Sequence, residues 1–175
     1  MGHLVTFIQG DAEQTNLTDA SFDCVICECA FCTFADKPAA AREMGRLLRR
    51  DGRIGISDLV RRGSLPTDLT GLISWISCIA DALPVSEYSA ALEAASFHVN
   101  TVEVHDNCLL QMAKDVQGRL LGLELLAALK KLELPGVDMT QAKQFARSAM
   151  KAIQEGIFGY ALIIASRTFG GEAAR

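Results

Sequence analysis

The sequence lacks the features that mark nucleic-acid-binding, membrane-spanning and secreted proteins. Its net charge is −4, and Lys and Arg form no cluster beyond short runs such as Arg49-Arg50 and Arg61-Arg62. A nucleic-acid partner would call for a basic stripe, so this class of partner is not expected. No apolar stretch reaches the roughly 20 residues that span a bilayer, so no membrane segment is expected. The N-terminus lacks a charged region followed by an apolar signal core, and we therefore expect a cytoplasmic protein.

What the sequence does contain is enough apolar material for one compact core. Half of the residues are hydrophobic and 22% are charged, a composition that favours a folded globule over a disordered chain. A chain of this length typically forms one domain. The sequence shows no internal repeat, low-complexity tract or domain linker, so residues 1–175 are interpreted as a single domain.

Six cysteines are present, at positions 24, 27, 29, 32, 78 and 108. The first four fall on and just after a predicted strand, where alternate side chains point to opposite faces, and this argues against a disulfide ladder. The pairs Cys24–Cys27 and Cys29–Cys32 mimic a four-cysteine metal site. Only one residue separates the two pairs, however, and a tetrahedral cage is sterically implausible at that spacing. The pattern therefore predicts reduced thiols and no metal.

Apolar residues recur with periods that predict alternating strands and helices. Strands are expected at 4–8, 22–31, 53–59, 97–105 and 159–168. Helices are expected from Asp36 to the Asp51-Gly52 turn, over 69–83 as a buried helix or lid, from Ser86 to Ala95, over 107–132, and from Asp138 to Gly156. Strand 22–31 is almost continuously apolar, as in a parallel strand covered on both faces. The alternation predicts an α/β fold with a parallel sheet and right-handed crossovers.

A short motif, Gly10-Asp11-Ala12, follows the first predicted strand. Taken alone, it indicates no more than the Asp-rich turn that follows many strands. Its specificity comes from its spacing to Ser21-Phe22-Asp23, to the apolar strand that begins there, and to Arg53-Ile54-Gly55 in the next strand.

With this spacing, residues 8–59 resemble the second half of a class I S-adenosylmethionine (SAM)-dependent methyltransferase of the methyltransferase type 11 group. The resemblance implies a partial Rossmann-like sheet without its first two strands. It also implies that Asp11 and Ala12 contact the adenine edge of SAM and that Glu28 lies beside the cofactor. Such enzymes place a Gly-rich loop and a ribose-binding acid upstream, and only nine residues precede Gly10. Weak or absent SAM binding is therefore expected.

Two cysteines extend the resemblance to one branch, the arsenite methyltransferases. Cys29 stands in ICECAF at the carboxyl end of a predicted strand, where open α/β sheets bind ligands, and Cys78 precedes the segment IADALPVSEYSAALEAASF. The branch carries a cysteine at each place, which implies that both bind substrate, since trivalent arsenic prefers thiolate ligands. An equally supported alternative is that these cysteines pack as small hydrophobes. For Cys24 and Cys27 the packing interpretation is favoured.

The resemblance divides the single methyltransferase-like domain into three parts. Residues 1–106 form an α/β core part, residues 107–156 a helical insertion, and residues 157–169 the last strand. In the resembled fold the last two strands form an antiparallel hairpin, and here the insertion separates them. We expect it to add a helical hairpin beside the sheet.

The function implied is that of a SAM-dependent methyltransferase-like protein related to arsenite and small-molecule methyltransferases, impaired or inactive as an isolated chain. The alternative is a non-catalytic, homo-oligomeric binding or assembly protein derived from a methyltransferase fragment. Missing strands would expose the edge of strand 22–31. A second copy, or a separate chain with the N-terminal half, would cover that edge, and the Leu-rich residues 120–132 would form core or a dimer face. The expected ligand is a small molecule or As(III).

Overall fold

The computed structural model describes residues 4–69, 78–131, 135–136 and 138–168. Within these ranges the chain forms four strands and four helices. In chain order they are β1 (Phe22–Glu28), α1 (Lys37–Leu47), β2 (Leu48–Arg61), α2 (Val85–Ala94), β3 (Phe97–Val104), α3 (Asp106–Ala128), α4 (Met139–Gln154) and β4 (Phe158–Arg167). A single 3-10 turn, Phe31–Thr33, follows β1.

The four strands form one mixed sheet in the order β1-β2-β4-β3. Strand β1 is parallel to β2, whereas β4 lies between β2 and β3 and is antiparallel to both. The last two strands are therefore antiparallel neighbours in space, and α3 and α4 separate them along the chain. This confirms the predicted α/β sheet with a helical hairpin between its last two strands.

Helices α1 and α2 cover one face of the sheet. Their apolar residues, among them Met44 and Tyr88, form one core cluster with Ile54, Ile56 and Ile163 on the sheet. This arrangement follows from strand alternation, which sends every second side chain of β2 and β4 to the same face. Helices α3 and α4 pack against β2 and β4 in a second core cluster, which includes Leu59, Leu109, Ala152 and Phe158.

Strand β1 is an edge strand, and the prediction that it would be covered on both faces is wrong. It ends at Glu28, and of its seven residues only Cys27 is buried. Ile26 is 77% exposed, and Cys24, which was expected to pack in the core, is also exposed. The physical reason is that β2 is its only strand neighbour among the described residues, and that α1 and α2 pack on the opposite face from Ile26.

The predicted strand at 4–8 is also wrong, because the structure has irregular backbone there. Its pattern is typical of a strand, yet Phe7 is 95% exposed and Leu4 is 87% exposed. A strand needs a hydrogen-bonded neighbour, and within the described residues no other strand pairs with this segment. Sequence propensity alone could not create that neighbour.

The helix termini follow local chemistry closely at three places. Asp36 caps α1 by accepting a hydrogen bond from the Ala39 amide, as predicted. Asp138 caps α4 through the amides of Thr140 and Gln141, also as predicted. Gly156, with φ of +73°, lies just after α4 in the left-handed conformation that glycine adopts without steric cost.

Two other predicted helix boundaries are corrected by the structure. Helix α1 ends at Leu47, before the Asp51-Gly52 turn, and that turn lies inside a longer β2. Helix α2 begins at Val85 with Pro84, not Ser86, at its N-cap. Proline suits the N-cap because its ring clashes with a preceding helical turn, so the helix cannot extend beyond Pro84 toward the N-terminus of the chain. The predicted helix or lid at 69–83 falls largely on residues 70–77, outside the described residues.

A buried carboxylate ties the loop after Gly10 to α1. Glu43 is 8% exposed and accepts hydrogen bonds from the backbone amide and the hydroxyl of Thr15 and from the guanidinium of Arg46. Arg46 also donates to the carbonyl of Leu17 at 2.8 Å and forms an ion pair with Asp19. These contacts hold the loop that carries Asp11 against the helix.

Replacing Glu43 with Gln is expected to lower the free energy of unfolding by about 2 kcal/mol at neutral pH, because a charge-assisted network loses its anion. The hydrogen bonds from Arg46 lower the pKa of Glu43 from 4.5 to about 2. This contribution is present above pH 4.5 and is lost as the pH falls toward 2, because the folded-state pKa lies below the unfolded one. Urea unfolding of both proteins at neutral pH and at about pH 3 measures it.

The matched control for this prediction is Glu93→Gln, at an exposed position near the end of α2. We expect it to change stability by less than about 0.5 kcal/mol. If Glu43→Gln were equally harmless, or if its effect did not shrink in acid, the network around Glu43 would not stabilise the fold.

Candidate functional site

Residues from three strands meet at the carboxyl edge of the parallel pair β1 and β2. Glu28 and Cys29 lie at the end of β1, and Asp58 lies near the end of β2. Tyr160, near the start of the antiparallel strand β4, pairs with Leu59 in the sheet register. Open α/β sheets bind ligands at this edge, so these side chains define the candidate site.

Cys29 is held in an unusual backbone conformation. Its φ is +47°, in the left-handed region, and its amide donates a hydrogen bond to the Ser57 carbonyl at 2.8 Å. Its Sγ lies 3.3 Å from the Tyr160 hydroxyl. A residue with a Cβ is strained in this region, and such strain is concentrated at functional sites. The exposed thiol of Cys29 is thus presented to solvent by a constrained backbone.

Cys78, predicted as the second substrate ligand, lies directly beside Cys29. Its φ is +62°, again in the left-handed region, and its thiol donates to the Cys29 carbonyl with a sulfur–oxygen distance of 3.4 Å. The two cysteines are 49 positions apart in the chain, so only the tertiary fold brings them together. The structure thereby places both predicted thiols at one edge of the sheet.

A third thiol, which sequence reasoning left unassigned, belongs to the same cluster. Cys32 is fully buried, and its side chain interacts with that of Cys78. The Cys32 amide donates to the Asp58 carboxylate at 2.9 Å. The cluster thus runs from the exposed Cys29, through the half-buried Cys78, to the buried Cys32.

Asp58 sets the electrostatics of this cluster. Its carboxylate is 1% exposed and accepts hydrogen bonds from the amides of Cys32 and Leu59. Burial is the largest cause that raises the pKa of Cys27, to about 11, and the negative charge of Asp58 is the second. Burial is also the largest cause that raises the pKa of Cys32 and of Cys78. These three thiols are therefore protonated at neutral pH, and a soft electrophile would displace their protons on binding.

Tyr160 supplies a hydroxyl donor next to Cys29. Burial, followed by the contact with Cys29, raises the pKa of Tyr160 to about 12. The phenol therefore stays protonated at neutral pH. It can donate a hydrogen bond to the Cys29 sulfur or to a polar atom of a ligand bound there.

The residues predicted to contact adenine lie on a separate loop. The exposed Asp11 accepts a hydrogen bond from the Glu13 amide at 2.9 Å, and Glu13 in turn accepts one from the Asp36 amide at 2.8 Å. Ala12 is half-buried in the same turn. Across the described residues, no hydrogen bond joins Asp11 or Ala12 to Glu28, Cys29 or Cys78. The loop is anchored to the N-cap of α1 through the hydrogen bond between Glu13 and Asp36.

Within the described residues the structure offers neither a metal-binding cluster nor a membrane-spanning helix. In the ranges given above, no three His, Cys, Asp or Glu side chains are arranged to hold a metal ion. Among the described helices, even α3 fails to combine the length and the apolar character that a membrane span needs.

Sequence comparison relates the chain to methyltransferases. Residues 1–56 match a family described as a methyltransferase domain. The chain is 33% identical over 104 residues to the uncharacterized methyltransferase YcgJ of Bacillus subtilis (strain 168), across 58% of this chain and 40% of that protein. It is 27% identical over 135 residues to an arsenite methyltransferase of Halobacterium salinarum, across 77% of this chain and 34% of that protein. The chain therefore spans no more than 40% of the length of these two relatives.

Solved structures share the fold. The phosphoethanolamine N-methyltransferase 2 of Haemonchus contortus, solved with SAM, superposes with a TM-score of 0.71 at 15% identity, over 91% of this chain and 36% of that chain. The cyclase SpnF superposes with a TM-score of 0.66 at 20% identity, over 97% of this chain and 58% of that chain. At these identities the likeness is one of fold, and it confirms the Rossmann-like class.

Proposed function

Because the chain is related to the class I SAM-dependent methyltransferases, we propose that it forms the substrate-facing part of such an enzyme for small molecules. One observation carries the proposal: Cys29, Cys78 and Tyr160 converge at the carboxyl edge of the sheet. This is the edge at which α/β sheets bind ligands. In the same scheme residues 1–106 are the α/β core part, residues 107–156 the helical insertion and residues 157–169 the last strand.

The finer proposal concerns the substrate of the thiols. The adjacent Cys29 and Cys78 would bind a thiophilic species, and trivalent arsenic is the one that the resemblance implies. Support comes from the position of the Cys78 thiol against the Cys29 backbone and from the similarity to an arsenite methyltransferase over 77% of the chain. Cys32 lies behind Cys78 and would offer a third sulfur. The geometry thus suits a soft electrophile that enters from the exposed side of Cys29.

SAM is proposed to bind this chain weakly. Its adenine would meet Asp11 and Ala12, and Glu28 would face the cofactor from the end of β1. The 175 residues contain no G-x-G-x-x-G loop, so the backbone amides that such a loop provides are missing from the contacts available. Contacts at one end of a cofactor seldom offset the entropy lost on binding.

Calorimetric titration of the purified chain with SAM tests this proposal. We expect a dissociation constant weaker than micromolar, a limit that corresponds to roughly −8 kcal/mol. S-adenosylhomocysteine should bind with similar weakness, because the adenine contacts are the same. The residual binding should disappear in Asp11→Ala, which removes the acceptor for the adenine amino group.

Two results would contradict the proposed cofactor contact. Micromolar or tighter binding to the unmodified chain would show that the described contacts are sufficient. Weak binding that is unchanged in Asp11→Ala would show that adenine does not contact this loop.

A second candidate function is a non-catalytic, homo-oligomeric binding or assembly protein. The observation that favours it is exposed apolar surface, which monomers rarely leave uncovered over a large area. Four leucines of the α3 region, Leu121, Leu125, Leu126 and Leu129, are between 42% and 61% exposed, and Ile26 on the edge strand is 77% exposed. A second copy of this chain, or a separate chain that supplies the N-terminal half of the fold, would cover these residues. A neighbouring reading frame that encodes a strand followed by G-x-G-x-x-G would favour the separate chain.

A further inference from the structure

An apolar cavity of about 310 Å³ lies between α3, α4 and the carboxyl end of β2. Every residue that lines it is apolar. Leu59 and Phe158 line it from the sheet, Leu120 lines it from α3, and Phe145 lines it from α4. Its volume falls at the lower end of the range of small-molecule sites, about 300–1,000 Å³.

Short side chains create this space. Ala113 on α3 and Ala142, Ala146 and Ala149 on α4 all line the cavity, at positions where leucine would fill it. The space is partly open to solvent, because Met112 and Val116, which line it, are 53% and 44% exposed. Enclosed apolar cavities about half as large take up benzene, and an apolar lining that faces water is likewise stabilised when an apolar ligand covers it. The space is therefore suited to an apolar ligand rather than to water.

The cavity adjoins the thiol cluster through two residues. Leu59 lines the cavity and pairs in the sheet with Tyr160, whose hydroxyl contacts Cys29. Ile79 lines it as well and follows Cys78 directly in the chain. A ligand whose apolar body fills the cavity would thus present its polar end toward the Tyr160 hydroxyl.

We propose that this cavity binds a small molecule with a hydrocarbon body, as a ligand separate from the thiophilic species proposed for Cys29 and Cys78. The inference is independent of the proposed function, since apolar binding itself requires neither SAM nor the thiols. It differs from the arsenite proposal in its chemistry, because the lining offers no sulfur, nitrogen or oxygen donor beyond the thioether of Met112.

The test is fluorescence titration of the full chain with N-phenyl-1-naphthylamine, followed by displacement with 1-dodecanol. We expect saturable binding with one probe per chain, and displacement of the probe by the alcohol. Ala146→Phe places a ring in the cavity and is expected to weaken probe binding at least tenfold while raising Tm. Ala128→Phe adds the same ring at an exposed position of α3 and should bind the probe as the unmodified chain does.

Should Ala146→Phe fail to fold, Ala142→Leu reduces the same cavity with a smaller side chain and should weaken binding to a lesser degree. Probe binding that is equal in the cavity variants and in Ala128→Phe, or that does not saturate, would overturn the proposal. SAM titration of the same samples separates the two hypotheses. Saturable, cavity-dependent probe binding without any SAM binding would support the site and contradict the proposed cofactor role.

Discussion

Replacing either Cys29 or Cys78 with serine is expected to abolish arsenite binding by the chain. Two neighbouring thiols condense with arsenous acid to form two As–S bonds, and two water molecules leave with the thiol protons. In a site of two sulfurs, the one thiol that remains loses the advantage of an intramolecular second bond, which is worth a factor of about 100 or more in affinity. Serine oxygen cannot replace the sulfur, because trivalent arsenic is soft and thiophilic. Calorimetric titration with arsenite, run on each variant beside the unmodified chain, measures this loss.

The chain offers two matched controls for this experiment. Cys24 on the edge strand and Cys108 on α3 are both exposed, and neither is part of the cluster described at the carboxyl edge. Serine at either position should leave arsenite binding and Tm unchanged. A serine hydroxyl at a buried position would lower stability, but Cys24 is exposed, so Cys24→Ser should not show that loss. Equal loss of binding in the controls would mean that arsenite reacts with surface thiols at random.

Cys32 decides whether the site uses two sulfurs or three. Its thiol is buried next to Cys78, and burial followed by Asp58 raises its pKa above the ordinary value. If Cys32→Ser leaves affinity unchanged, Cys29 and Cys78 form a two-sulfur site. Loss of affinity in Cys32→Ser with Tm unchanged would instead assign all three sulfurs to the ligand. Strong binding that survives in both Cys29→Ser and Cys78→Ser would contradict the thiol site itself.

Local chemistry made the N-caps of α1 and α4 and the central strand β4 predictable from the sequence. Asp36 and Asp138 cap helices because their carboxylates satisfy free amides within three residues of the chain. Strand β4 was predictable for a similar reason, since its β-branched and small apolar residues suit a central position in a sheet. The order in which the strands pair was available only through the family resemblance.

Features that depend on distant partners were not predictable in this way. Segment 4–8 has the pattern of a strand but no neighbouring strand among the described residues, so its apolar side chains are exposed. Tyr160 contacts Cys29 across 131 positions, and no local motif marks it. Asp58 could have drawn attention as an acid at the end of an apolar strand, and Cys32 as part of a C-x-x-C pair. Neither signal indicated that the two residues would meet.

Replacing Leu121 and Leu125 together with glutamate is expected to convert an oligomeric chain into a monomer. Both side chains are 61% exposed on α3, and between them lies Gly122, whose Cα faces open space. A second α3 could therefore approach closely and bury the leucines of both copies. Two charges introduced per copy would face each other across a two-fold interface, and like charges there cost several kcal/mol. Sedimentation at micromolar concentration would then show an 18.9 kDa species for the variant only.

The edge strand β1 provides the complementary variant, because Ile26 is an exposed apolar residue away from α3. Ile26→Lys places a charge on the strand edge, which blocks strand pairing between chains. If α3 forms the interface, Ile26→Lys remains oligomeric while the double leucine variant dissociates. If strand pairing holds the copies together, the outcomes are reversed, and the leucines of α3 are then not the dimer face. An unmodified chain that sediments only at 18.9 kDa would exclude the homo-oligomeric function. The exposed leucines would then be left for a separate chain, because apolar side chains grouped on one helix face still require a partner.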